Sequence, residues 1–420
     1  MLDLSTIAIH NSLTLFLNPN LTGVTHSATT QYMGFYDLSD CDITGNHDIS
    51  MFADLGGTFS LDGNSNLTGI THTGSTSNFG SYNVSSCNLT GNHDVSMLLG
   101  LGGDFNVSSN PNLTSITHAG STSNFEKYRI NSTGIANLDL SMITVGGGTF
   151  GTFSANNCPN LTAITHSAST ESIKSYNVYS CDLIGNHDIS MLSNMSGSLS
   201  FNSNLNLTSV THPAISELNT YNGYSCDMIG TQDMTMIDEL GSFNMYANSN
   251  LTRILHAPSS NPGDYTAWGC DLQPAHNMSM LSGRTDYIRV HDNPNLTSIA
   301  LGPSSGTFRN TNTSSATKAI SMNDCDLGFV DFMPLSSATM NTGATHRASI
   351  TLQNNGMNEV EVNRTLVSFD EMSTLNPSGW SGVILDISGS NQPPNGSSGG
   401  YNGTGATISL ISKGWTVTTS

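Results

Sequence analysis

Histidine and cysteine are the side chains of this chain best suited to bind metal, move protons or form cross-links, and both recur at fixed spacing. His72, His118, His166 and His212 each follow an Ile/Val-Thr pair, and His47, His93 and His187 each stand in Gly-Asn-His-Asp. A metal site needs several donors converging on one ion. Copies of one position in alternate turns of a stacked chain instead lie in a row, about 10 Å apart at two strand spacings. The histidines therefore read as stacking or hydrogen-bonding groups. Metal ligation would need the two series to meet, which spacing alone leaves open. The Asp of each Gly-Asn-His-Asp reads as a turn residue accepting backbone N–H bonds. Cys41, Cys87, Cys181, Cys226 and Cys270 also share one position in alternate turns, too far apart for disulfides. Cys158 and Cys181 fall in successive turns and form the one pair within reach. Burial preference favours reduced, packed thiols throughout.

Catalysis needs one unlike set of groups at one place, and a repeat works against that. Carboxylates are sparse, and no nucleophile elbow, phosphate loop or paired acids occur at a unique position. No catalytic residue, cofactor or metal is expected, and the chain reads as a non-enzyme. The sequons at Asn20, Asn66, Asn112, Asn160, Asn206, Asn250 and Asn295 read as by-products of a repeat that copies Asn-Leu-Thr, rather than as glycan acceptors.

That repeat has a period of about 46 residues, the mark of a stacked architecture. Each unit splits in two. Tyr82-x-Val84-x-x-Cys87-x-Leu89 is followed by Phe105-x-Val107-x-x-Asn110-x-x-Leu113, so the elementary turn is about 23 residues. In Phe105-Asn-Val-Ser-Ser-Asn110 apolar and polar residues alternate, the pattern of a half-buried strand. Asn110 then sits at a bend, where its amide can bond the backbone of adjacent turns. Asn64, Asn204, Asn248 and Asn293 take the same place in other units, and Cys41, Cys87, Cys181, Cys226 and Cys270 take it in the alternate turns. The Gly/Ser/Thr-rich return legs show no sustained helical pattern and are expected to be irregular, turn-like or short 3₁₀ segments.

The pattern Leu-x-Leu-x-x-Asn/Cys-x-Leu resembles the leucine-rich repeat family, with aromatics in place of the first Leu. The resemblance implies a mainly β, right-handed solenoid of about 17 turns with a parallel sheet on its concave side and little helix. Regular turns are expected over residues 1–299. Residues 300–420 carry wider, irregular turns, including Ile320-x-Met322-x-x-Cys325-x-Leu327, and a C-terminal cap of the same solenoid. In that cap Ile408, Leu410 and Ile411 are expected to cover the last coil, and Gly414 to reverse the chain into a final strand.

Only 10% of residues are charged and the formal net charge is −20. Nucleic acid binding releases counterions from a basic face, and none is visible, so nucleic acid is not an expected partner. No stretch of about 20 apolar residues is present for membrane insertion. The start, Met1-Leu-Asp-Leu-Ser, has no basic region followed by an apolar one, so no secretory signal is expected. Ile7-Ala-Ile9 is short for a cap, and terminal repeats need covering. The N-terminal end is therefore expected to dock on another subunit.

One feature breaks the repeat. At the outward position after the second inward residue, early turns read Ser39, Asp62, Ser85, Ser108 and Asn131, whereas later ones read Tyr224, Tyr246, Trp268 and His291. Arg289 lies alongside, and Tyr179 holds the position two turns earlier. In-register stacking makes this an aromatic stripe. It serves either as a binding surface, flat rings suiting sugar faces, or as a stack that stabilises the sheet. The ending, Val383-Ile-Leu-Asp-Ile-Ser-Gly and then Ala406-Thr-Ile-Ser-Leu-Ile-Ser-Lys-Gly-Trp, resembles closing turns of repeat proteins from Bacteroidetes-type bacteria and their tailed phages. It implies a virion surface or tail-fibre component that binds a cell-surface glycan or protein receptor, with other virion subunits at its N-terminal end. A secreted bacterial surface adhesin is the alternative. An ice-binding or purely structural solenoid, suggested by outward residues such as Thr114 and Thr117, is a third reading.

Overall fold

Alternation sets the leading strand of every coil. In the computed structural model Phe105 and Val107 are buried, while Asn106 and Ser108 lie half-exposed on the opposite face. The structure describes the chain outside residues 7–10, 28–32, 53–54, 73–75, 78–79, 97, 100–101, 119–120, 123–124, 142, 145–149, 167–170, 194, 282–286, 304–306, 309–318 and 341–347. Two units, Met1–Pro213 and Ala214–Ser420, make up the chain, and each is a parallel β-solenoid.

In the first unit, leading strands pair in register through Leu13, Tyr36, Phe59, Tyr82, Phe105, Tyr128, Phe153, Tyr176 and Leu199. In the second they pair through Tyr221, Phe243, Tyr265, Ile288, Ile320, Ile350, Leu385 and Val417. The inward rings from Tyr36 to Tyr176 form one stack, with centroids 4.9–5.8 Å apart and planes within 13–27° of each other. Burying each ring contributes about 2 kcal/mol, and each stacked pair adds about 1 kcal/mol.

Leading strands before the last one end in a left-handed residue, such as Asp40 (φ 50°), Ser86 (55°), Ser109 (58°) or Ala247 (56°). That corner aims the next side chain inward, where the ladder expected from the sequence forms. Asn64 Nδ2 donates to Leu38 O (2.9 Å) and Leu61 O (2.7 Å), and its Oδ1 accepts from Ile43 N (2.9 Å). Asn110, Asn204, Asn248 and Asn293 donate in the same way to Val84, Val178, Gly223 and Ala267 of the preceding coil, and all five amides are fully buried. Cys41, Cys87, Cys181 and Cys270 donate Sγ–H to Leu15, Leu61, Ala155 and Met245 at 2.8–3.3 Å, and Cys226 to Tyr224 O at 3.6 Å. The ladder continues through Cys158, Cys325, Asn355 and Asn391. All seven cysteines are free and buried, and Cys158 Sγ donates to Ile130 O of the preceding coil at 3.1 Å.

The return legs differ from expectation, because they are strands. In the first unit Leu67–Thr71 pairs with Gly45–Asp48, Leu113–His118 with Gly91–Val95, and Asn206–Thr211 with Ile184–Asp188. In the second, Asn250–His256 pairs with Ile229–Met234, and Ser298–Leu301 with Ala275–Met278. A β-bulge hides their period. The register slips after Gly45, Gly91, Gly185 and Gly230, each held at φ 66–72°, a geometry open to glycine. The slip turns His47, His93, His187 and Gln232 inward and breaks the alternation by which a strand is recognised.

Residues 359–375 also depart from expectation. Helix α1, Glu359–Leu375, opens on a capping box between Asn358 and Glu361 and buries Val362, Leu366, Phe369 and Met372. In helix α2, Gly403–Ser412, Leu410 is buried as expected, but Ile408 and Ile411 are 65% and 52% exposed. At helical spacing Leu410 shares its face with Ala406, and Ile408 and Ile411 fall outside it. Gly414, at φ 86°, turns the chain into the strand Thr416–Thr419. At the other end Leu13 and Leu15 are half-exposed, and Phe16 and Leu17 are 50% and 63% exposed. Ile7–Ile9 lies outside the described residues.

Candidate functional site

On the outer face of the second unit's leading strands, the residues one place before each left-handed corner form a continuous row. Ser225 N bonds Tyr246 O, Ala247 N bonds Trp268 O and Gly269 N bonds His291 O, so Tyr224, Tyr246, Trp268 and His291 stand on successive strands. Their rings are nearly parallel: 4.4 Å and 6° for Tyr224–Tyr246, 4.7 Å and 9° for Tyr246–Trp268, 5.3 Å and 7° for Trp268–His291. Strand spacing sets these distances. The inner rings of the row are therefore covered on their faces by each other, and what they offer outward is their edges. Burial, and then the neighbouring Tyr224, push the Tyr246 hydroxyl above the ordinary phenol range, so it remains a neutral donor and acceptor.

The flanking side chains add polar groups. The Arg289 guanidinium lies 4.1 Å from the Tyr287 ring centroid, in the outward position before His291. His291 Nδ1 is 2.7 Å from Asp292 Oδ2, and Asn244 donates to Asn222 at 2.9 Å. Phenol, indole and amide edges thus line one face together with the Arg289 guanidinium. Tyr179 belongs to the first unit, and its strand neighbours at that position are Asn156 and Asn202, so it stands between amides rather than in a ring stack.

The two histidine series do meet, on a buried tyrosine. His26 Nε2 lies 2.8 Å from the Tyr36 hydroxyl, which lies 2.7 Å from His47 Nε2. His72, Tyr82 and His93 repeat this at 3.1 and 2.8 Å, and His166, Tyr176 and His187 at 2.9 and 2.8 Å. His118 bonds Tyr128 at 2.7 Å, with Leu138 in the place of the second histidine. In the second unit His256, Tyr265 and His276 meet at 3.2 and 2.7 Å. A phenol donates one proton, so in each triad one imidazole accepts it and the other donates an Nε2–H. Among the described residues, no group of three or more His, Cys, Asp or Glu side chains is placed to hold a metal ion. Asp48, Asp94 and Asp188 accept from the backbone N–H two residues on, each at 2.9 Å, as expected of turn residues.

Comparisons with known protein families and with curated proteins find no match.

The hydrogen-bonding reading of the histidines therefore holds, while their tyrosine hubs escaped the sequence reading. The signal was present. Each Tyr follows one histidine by nine or ten residues and precedes the other by eleven, and the intervening coils carry Phe or Leu.

Proposed function

We propose that this chain is a non-enzymatic recognition protein whose binding face is the row Tyr224, Tyr246, Trp268 and His291, with Arg289 beside it. The carrying observation is the row itself: four in-register, half-exposed rings where the early coils carry Ser, Asp or Asn. A stack that presents its edges suits a ligand rich in hydroxyl or peptide groups, such as a cell-surface glycan or protein, better than one lying flat on each ring. The coils are read as leucine-rich-repeat-like, supported by the Asn/Cys ladder. Their strand-bearing return legs are a local departure from that pattern.

The placement we favour is the surface or tail fibre of a phage of Bacteroidetes-like bacteria. It is supported by the wording of the C-terminal turns. Other virion subunits are proposed to dock at the end exposing Phe16 and Leu17. A bacterial surface adhesin would use the same face, and gene neighbourhood separates the two. The ice-binding reading is weakened because the Thr117 hydroxyl already donates its proton to Asn92 Oδ1 at 3.1 Å, which leaves it only acceptor capacity toward water.

Trp268→Ala tests the face. Removing a rigid ring should lower attachment to cells or glycan by about 2 kcal/mol or more, the scale of an interface hot spot, and leave the melting temperature nearly unchanged. Asn106→Ala, on an early strand, should change neither. If attachment stays intact while the melting temperature falls, the row is structural only.

A further inference from the structure

The triads do more than fill a core. Each hub tyrosine sits on a leading strand, one histidine lies on the leg before it and the other on the leg after it, so each triad ties three legs together. We propose that the first unit is an acid-release module: taking up protons at its histidine–tyrosine clusters parts the legs of its coils, while the second unit stays folded.

The geometry supplies the reason. Neutral imidazoles can share one phenol because one accepts and the other donates. Once both are protonated, neither Nε2 can accept, and two cations face each other at ring separations of 6.0 Å (His26–His47), 5.9 Å (His72–His93) and 6.2 Å (His166–His187). Phe52 packs edge-on against His26 and Tyr36, and His47 and His93 are 3% and 4% exposed, so water cannot dilute the charge. The charged groups facing each cluster are few. Asp48 acts on His26 and His47, Asp94 on His72 and His93, Asp139 on His118, and Asp188 on His166 and His187. Each favours protonation but lies near the surface, already engaged in its own turn. Neighbouring clusters oppose it: His72 acts on His47, His118 on His93, and His212 on His187. Burial outweighs the carboxylates, holding His47 to about 4 and His93 and His187 to about 3.

The sign follows. The unfolded chain binds these protons below about pH 6.5, and the folded unit does not until about pH 4 or lower. Stability is full above about pH 6.5, falls as pH drops through that window, and levels off below it. The two units differ in dose. The first carries the clusters on Tyr36, Tyr82, Tyr128 and Tyr176, whereas among the described residues the second carries one full triad, on Tyr265. In the second, Gln232 stands where a histidine would, paired in register with Ile254 as His47 is with Ile70, and the hub positions from Ile288 to Leu385 are aliphatic.

All three tryptophans, Trp268, Trp380 and Trp415, lie in the second unit, so the full chain reports its own halves. On acid titration, far-UV circular dichroism should lose a first step between about pH 6 and pH 4 with tryptophan emission unchanged, and hydrogen exchange should place the opening within residues 1–213. Replacing His47, His93 and His187 by Gln, the residue the chain uses at 232, should move that step down by about half a pH unit or more. An unmoved midpoint in a variant of equal neutral stability, or simultaneous loss of both signals, overturns the proposal. Should the variant not fold, histidine ring proton shifts of the native protein at pH 5 decide. Neutral imidazoles in the folded first unit support the proposal, and charged ones overturn it.

Discussion

At the scale of single residues, the ladder asparagines do what no other side chain of their size can. Asn110 donates to Val84 O and Val107 O and accepts from Leu89 N, each at 2.9 Å, inside a core that water does not reach. Asn110→Ala leaves these three peptide groups unpaired. At about 1–3 kcal/mol for each buried orphan, the loss should reach about 3 kcal/mol or more, measured by denaturant titration. Asn110→Cys should be milder, since a thiol at this place still donates to the preceding coil, as Cys87 does to Leu61 O at 3.2 Å. A loss under about 1 kcal/mol for Asn110→Ala would mean that the ladder is incidental. This layer was legible in the sequence, because position and donor chemistry sufficed to find Asn64, Asn110 and their cysteine counterparts. The tyrosine hubs were not found. The members of each triad lie on three different legs, and a linear pattern shows the spacing of such groups without showing that they point at one atom.

At the scale of the element, the corner before each ladder residue is the most demanding piece of backbone. Ala247 holds φ 56° there, a place occupied by Gly63 in one coil and Gly269 in another. An L-residue in this region costs about 1 kcal/mol, of which glycine's larger entropy loss takes back part. Ala247→Gly should therefore raise stability by a few tenths to about 1 kcal/mol. Gly91→Ala should lower it by about 1 kcal/mol, from conformation alone, since an added Cβ there meets nothing within 4 Å. Equal effects of one sign from both substitutions would mean that the corner and the bulge are not governed by φ. The same glycines explain what was missed. A bulge slips the register inside Gly-Asn-His-Asp, so a paired strand shows no clean period of two. Helix α1 was missed for a different reason: its Asn-x-x-Glu cap and its Val362, Leu366, Phe369 and Met372 spacing are ordinary helix signals, overshadowed by a repeat that led every return leg to be read alike.

At the scale of the whole molecule, cohesion passes from coil to neighbouring coil. Phe105 shows what that implies. It is 1% exposed and stacked between Tyr82 at 5.6 Å and Tyr128 at 4.9 Å, all within the first unit. Phe105→Ala opens a hole in that stack and should cost about 3–5 kcal/mol locally. A globule with one core would spread the loss over its single transition. A solenoid has no residue that touches more than the adjoining coils, so the damage should stay in the first unit. Denaturant unfolding of the variant at neutral pH, where the histidine clusters are intact, should show the circular dichroism transition moving to lower denaturant in an early phase. The tryptophan transition, which reports the second unit alone, should keep its midpoint. Coincident shifts of equal size in both signals would show instead that the two units unfold as one cooperative body, and that damage in one half reaches the aromatic row in the other.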